Sequence, residues 1–165
     1  SMQIKRINPN AGQESVWDYP RPPKLESFSG HVRVVFNNET IVDTNQAIRI
    51  LETSHPPTYY LPISDFKDGV LQPTHKTSFC EFKGMANYWD LVVDEKVAHQ
   101  AAWGYSNPTN HYTMLKDTVS VYAHLVDACY VNDEKVQAQE GDFYGGWITS
   151  NIVGPFKGGA GTWGW

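Results

Sequence analysis

From residue 32 onward the chain is broken into short β-prone runs separated by turn residues, and nowhere does an apolar pattern of helical period run on. That spacing restricts it to an antiparallel, all-β architecture with minor helical content. The sharpest local signal is Val32-Arg33-Val34-Val35-Phe36, then Asn37-Asn38, then Glu39-Thr40-Ile41-Val42-Asp43, two strands around a two-residue hairpin turn. Thr44 is expected to cap a short helix over Asn45 to Ile48, followed by alternation from Arg49 to Thr53. Further strands are predicted over 58–61, 76–82, 88–93, 96–102, 119–122 and 128–131, with 134–137 closing the series after Asn132-Asp133. In the run from Thr58 to Leu61, Tyr59 and Tyr60 point to opposite faces, so only one of them lines any given pocket.

The two ends lack this pattern. Residues 7–30 are rich in Pro, Gly and Ser around one apolar knot, Val16-Trp17-Asp18-Tyr19, and residues 141–165 hold eight of the thirteen glycines and three of the six tryptophans. The expected organisation is an extended N-terminal arm over 1–30, one domain over 31–140, and a Gly/Trp-rich arm over 141–165 that docks back through its aromatics. Ser1 ahead of Met2 reads as a tag-removal scar. With 41% hydrophobic and 19% charged residues the chain has a globular balance, and 165 residues suffice for a core without disulfide or metal staples. Net charge −5 argues against nucleic acid or an anionic membrane as partner. Cys80 and Cys129 form no C-x-x-C pair, and no apolar stretch has signal-peptide or membrane-span character, so a reduced, cytoplasmic setting is expected.

Three strings carry a likeness to a known family: Arg49-Ile50-Leu51-Glu52-Thr53-Ser54-His55-Pro56-Pro57-Thr58-Tyr59-Tyr60-Leu61-Pro62, Thr77-Ser78-Phe79-Cys80-Glu81-Phe82-Lys83-Gly84-Met85-Ala86-Asn87-Tyr88-Trp89, and Ala101-Ala102-Trp103-Gly104-Tyr105-Ser106-Asn107-Pro108. They resemble the family called domain of unknown function 427, also labelled nucleotidyltransferase-like, over about residues 30–135. The resemblance implies a β-tent fold, two antiparallel sheets leaning together, and no assigned function. Two departures stand out: Glu81 where a Pro often follows the Cys, and Ser54 where a Gly often precedes the His. The zinc-bearing relatives of that fold use paired C-x-x-C motifs that this chain lacks, so no metal site and no cofactor are expected.

Five residues are the candidate ligand-binding set: His55, Tyr60, Cys80, Lys83 and Trp103. His55 stands where a strand breaks at Pro56-Pro57, against the alternative of a turn histidine held by Glu52. Cys80 and Lys83 pair a thiol with an ammonium, which favours the thiolate, although each alone reads more simply as a buried small hydrophobe and a solvated turn lysine. Strand alternation puts Lys76, Ser78, Cys80 and Phe82 on one face and Lys83 on the other, and Gly84 permits a turn that brings Lys83 back over the thiol. Trp103 and Tyr105 are placed to form part of an aromatic cage. His75 is a second candidate base. The Gly154–Thr162 stretch mimics a phosphate loop but lacks the Lys and the following helix, and reads as a docking tail.

The function expected is small-molecule binding, nucleotide-like ligands included. One alternative is an assembly module whose arms engage a partner or a second copy of the chain. Nucleotidyl transfer is another, for which Asp65 with Asp68, or Asp94 with Glu95, are the nearest carboxylate clusters.

Overall fold

The computed structural model describes residues 4–165, so Ser1, expected to be a tag-removal scar, lies outside the described residues. Its strands are β1 (Glu14–Ser15), β2 (Lys24–Phe28), β3 (Val32–Phe36), β4 (Glu39–Thr44), β5 (Ala47–Leu51), β6 (Thr58–Pro62), β7 (Leu71–Cys80), β8 (Gly84–Val93), β9 (Lys96–Gly104), β10 (Thr118–Val121), β11 (Ala128–Val131), β12 (Glu134–Lys135), β13 (Gln137–Ala138), β14 (Trp147–Ile148) and β15 (Ile152–Val153). The architecture is all-β. A seven-stranded antiparallel sheet in the order β2-β5-β6-β10-β9-β8-β7 packs on a four-stranded one in the order β12-β11-β3-β4. Among the described residues no helix is long and apolar enough to cross a membrane.

Strand alternation gives the large sheet two buried faces. Ala47, Tyr59, Leu61, Leu91, Val119 and Val121 face the four-stranded sheet, where Val32, Val34, Phe36 and Ile41 complete the main core. Ile48, Ile50, Tyr60, Tyr88 and Trp103 face the other way, into a second cluster with Tyr105, Tyr112 and Tyr122. Tyr59 and Tyr60 therefore serve different cores, as the alternation requires. The Asn37-Asn38 turn has both residues at positive φ (50° and 62°), which the right-handed strand twist favours.

Two expectations need correction. No helix forms over Asn45 to Ile48; Ala47 and Ile48 open β5, because their alternating burial between the two cores outweighs the cap offered by Thr44, whose Oγ1 accepts only from the Gln46 amide. Residues 24–28, expected within an arm, form the edge strand β2 along β5, from Lys24 opposite Leu51 to Phe28 opposite Ala47. What fixes that edge is Arg49, buried on β5: its guanidinium donates to Glu26 Oε1 (2.8 and 3.1 Å) and to Glu14 Oε1 (2.7 Å). Burial opposes the charge, but bonds to Glu14 and then to Glu26 more than offset it, and Arg49 is held firmly cationic.

The C-terminal stretch also enters the core. Trp147 is fully buried, stacks on Tyr59 with ring centroids 5.2 Å apart, and donates from Nε1 to the Val121 carbonyl at 3.0 Å. Beyond it β15 runs parallel to β1, and Ile152 joins Val16, Tyr19 and Leu51 in a third cluster that binds both ends of the chain. The pieces meet at Ser54, whose amide donates to the Val16 carbonyl (3.0 Å) and whose carbonyl accepts from the Lys157 amide (2.9 Å).

Trp147→Ala is expected to cost about 3–5 kcal/mol, as for truncation of a large core aromatic, read by chemical denaturation. Ser54 has φ 74° and a buried hydroxyl without a hydrogen-bond partner. Ser54→Gly is therefore expected to stabilise by about 1 kcal/mol, since glycine carries no left-handed penalty. An unchanged or lower melting temperature would contradict that account.

Candidate functional site

The second face of the large sheet carries a cavity of about 280 Å³. Its floor is set by register: Tyr88 on β8 lies opposite Trp103 on β9, and Tyr60 on β6 reaches the same place from the neighbouring half of the sheet. The Trp103 Nε1 donates to Tyr60 Oη at 3.3 Å, and Tyr122 packs against the indole at 4.4 Å between centroids. Burial pushes the Tyr60, Tyr105 and Tyr122 phenols up, so all three are neutral hydroxyls at physiological pH.

One end of the cavity is the turn joining β7 to β8. Cys80 is opposite Gly84 in the pairing, and Glu81, Phe82 and Lys83 form the tip. Gly84 takes φ 105°, and the Thr109 amide donates to the Lys83 carbonyl (3.1 Å), bracing the turn from the neighbouring loop. The reversal brings Lys83 to the cavity beside Cys80 although simple alternation starts them on opposite faces. Lys83 is only 8% exposed. Its Nζ stands 5.7 Å from the Tyr105 ring centroid, and among the described residues no hydrogen bond or ion pair engages it. Burial alone favours the neutral amine, but Tyr60, then Cys80 and Glu52, outweigh it and the pKa is raised, so Lys83 is cationic at neutral pH.

The opposite end is the turn after β5. His55 Nδ1 lies 2.9 Å from the Thr53 carbonyl, which makes it the donor and leaves Nε2 as the acceptor. Burial lowers its pKa, against the opposing pull of Glu52, whose Oε2 is 4.0 Å from Nδ1. The roof is the C-terminal stretch. Tyr144 packs edge-on to His55 (5.2 Å), Phe143 offers its carbonyl to Tyr122 Oη (3.0 Å), and Gly145 crosses so close to the Trp103 ring that any Cβ there would collide with the indole.

All five residues singled out from sequence, His55, Tyr60, Cys80, Lys83 and Trp103, line this one cavity. Tyr105 joins them. His75 is exposed on β7 away from it, and Asp65, Asp68, Asp94 and Glu95 do not line it either. Sequence reading missed the roof residues Gln139, Phe143, Tyr144 and Lys157, together with Tyr88 and Tyr122. The only sign of the roof in the sequence was Phe143-Tyr144-Gly145-Gly146-Trp147, aromatics flanking glycines where the chain passes over a ring. The phosphate-loop mimic is indeed spent internally: the Gly158 amide donates to Thr162 Oγ1 and the Lys157 amide to Ser54.

A family model described as Domain of unknown function (DUF427) matches residues 24–132. The chain belongs to this family. The match begins at β2 and ends just after β11, so it takes in both turns and the floor of the cavity but not the roof. Among curated proteins no sequence shows significant similarity to this one.

A pH experiment tests the state of His55. Above its ordinary value of 6.5 both folded and unfolded chains hold a neutral ring; below it the unfolded chain takes up a proton that the buried ring resists. Stability is thus expected to fall with decreasing pH from 6.5 down through the lowered folded pKa. His55→Asn, which keeps a donor for Thr53, should flatten the melting-temperature profile between about pH 6.5 and 5. Parallel profiles for parent and variant would show that the ring is not held neutral.

Proposed function

We propose that this domain binds a small planar organic molecule in the cavity over β6, β8 and β9. One observation carries the reading: nine of the 21 lining residues are Phe, Tyr or Trp, against 13% of the whole chain. Aromatic walls with a few placed polar groups are the usual make-up of a small-molecule site, and a volume of about 280 Å³ is near the small end of the range for such sites. That size suits a single ring system with a short substituent. The polar groups offered to it are the Tyr60 hydroxyl, the Cys80 thiol, the Lys83 ammonium and the His55 imidazole. Nucleotidyl transfer has less support, because the pairs Asp65 with Asp68 and Asp94 with Glu95 do not border the cavity and a triphosphate would meet only one buried ammonium. The assembly reading is weakened too: Trp147 is spent in the core, while Trp17 donates to the Pro155 carbonyl and packs against Trp165.

Thermal-shift screening of planar heterocycles and aromatic metabolites is expected to give compounds that raise the melting temperature. The same compounds should slow alkylation of Cys80 by iodoacetamide in the folded protein, with the buried Cys129 as the unreactive internal control. Ser78→Phe, which puts a ring into the cavity, should abolish both responses. A panel without a single stabiliser, or stabilisers that leave Cys80 labelling and the Ser78→Phe variant unaffected, would defeat the proposal.

A further inference from the structure

We infer that the molecule taken by this cavity carries a negative charge, a carboxylate or a phosphate monoester attached to the planar ring, and that Lys83 is the group that receives it. The inference rests on the binding role proposed for the cavity and narrows it to one chemical class.

The argument starts from the cost of the lysine. An ammonium withdrawn from water is stable only with a partner of opposite charge or a set of acceptors, and lysines without one are seldom buried. Lys83 is more than nine-tenths buried, and among the described residues nothing accepts from its Nζ or pairs with it. Solvation does not explain its place, since the turn at 81–83 also carries Glu81, which is exposed, and the same hairpin tip offers open surface, with Phe79 and Met85 exposed. The surroundings supply weak cation contacts only: the Tyr105 face at 5.7 Å and the neutral hydroxyl of Tyr60.

The other charges around the cavity do not satisfy Lys83. Glu52 borders it and its charge favours the ammonium, but among the described residues the two form no ion pair: its carboxylate is paired with Arg21 at 3.6 Å and approaches His55 at 4.0 Å. Glu81 also borders the cavity, but it is exposed and among the described residues forms no ion pair. Lys157, the second ammonium on the lining, donates to the Trp165 carbonyl at 3.2 Å and sits over the Tyr144 ring at 5.7 Å. Among the described residues Lys83 is thus the lysine on the lining whose ammonium meets no acceptor, set at one end of an aromatic slot. A ring lying against Trp103 and Tyr60 with an anionic group directed at the β7–β8 turn fills the slot and completes the lysine.

The test uses matched pairs of aromatic acids and their neutral amides, namely 1-naphthoate, indole-3-acetate and salicylate with the corresponding amides, and phenyl phosphate with phenol, titrated into the full chain by calorimetry. At least one acid is expected to bind about 10-fold or more tightly than its neutral counterpart, the scale of a hydrogen bond to a charged group. Lys83→Met should bring that ratio close to one while leaving the neutral compound's affinity within about threefold, and Lys83→Arg should keep a preference for the acid. Parity between acid and amide in the parent overturns the inference while sparing the cavity's binding role. Binding of no compound defeats both. A preference that survives Lys83→Met assigns Lys83 to the structure of the turn and overturns the inference as well.

Discussion

The middle strands of the large sheet must be covered on both faces, and the two covers are made of different things. Where a four-stranded sheet lies on the first face, aliphatic side chains interlock and leave a continuous core. Among the described residues no second sheet covers the other face. It is covered instead by large rings standing on the strands and by a glycine-bearing segment crossing above them. Rings of that size under a single passing chain do not fill space completely, and the cavity is what they leave. The site therefore follows from an imbalance in how one sheet is buried.

Coverage of that face depends in turn on anchoring the ends of the chain. Arg49 draws Glu14 and Glu26 together over β5, which sets the edge strand β2 and the start of β1. β1 then pairs with β15, just beyond β14, and the roof segment 139–146 runs between β13 and β14, which pair with each other. A single buried guanidinium thus reaches, through two backbone pairings, the roof of a cavity formed by residues distant from it in sequence. Removing one of its carboxylates would leave buried charge unmatched, a more severe loss than the pair's own net worth.

Much of this was legible in the sequence, for a reason that particular residues make plain. Alternation is a local property, so the β3–β4 hairpin and the opposite orientation of Tyr59 and Tyr60 could be read directly. The convergence of His55, Cys80 and Trp103 is not local. It was reached through strings whose unusual polar and aromatic residues fall at strand ends, where the sheet order then gathers them. What stayed hidden depends on long-range partners. β2 has no alternation strong enough to mark it, and it becomes a strand because β5 presents a paired edge and Arg49. Asn45–Ile48 carries a plausible cap, but its apolar residues are needed by two cores at once, which only an extended chain allows. Gln139 and Lys157 gave no signal, since a roof is defined by what passes beneath it.

The boundary of the family match falls between the floor of the cavity and its roof. The floor residues are bound by register: shifting any of them moves a whole strand. Residues 142–145 carry no such obligation apart from the glycine above the indole, and Phe143 is already exposed. The two halves of the cavity can therefore diverge at different rates, with the sheet preserved and the crossing segment free to be rewritten. A library confined to Asp142, Phe143 and Tyr144 would alter the shape presented to an incoming molecule while leaving the folding core untouched, a division of labour more often associated with loops grafted onto a scaffold than with the end of a chain.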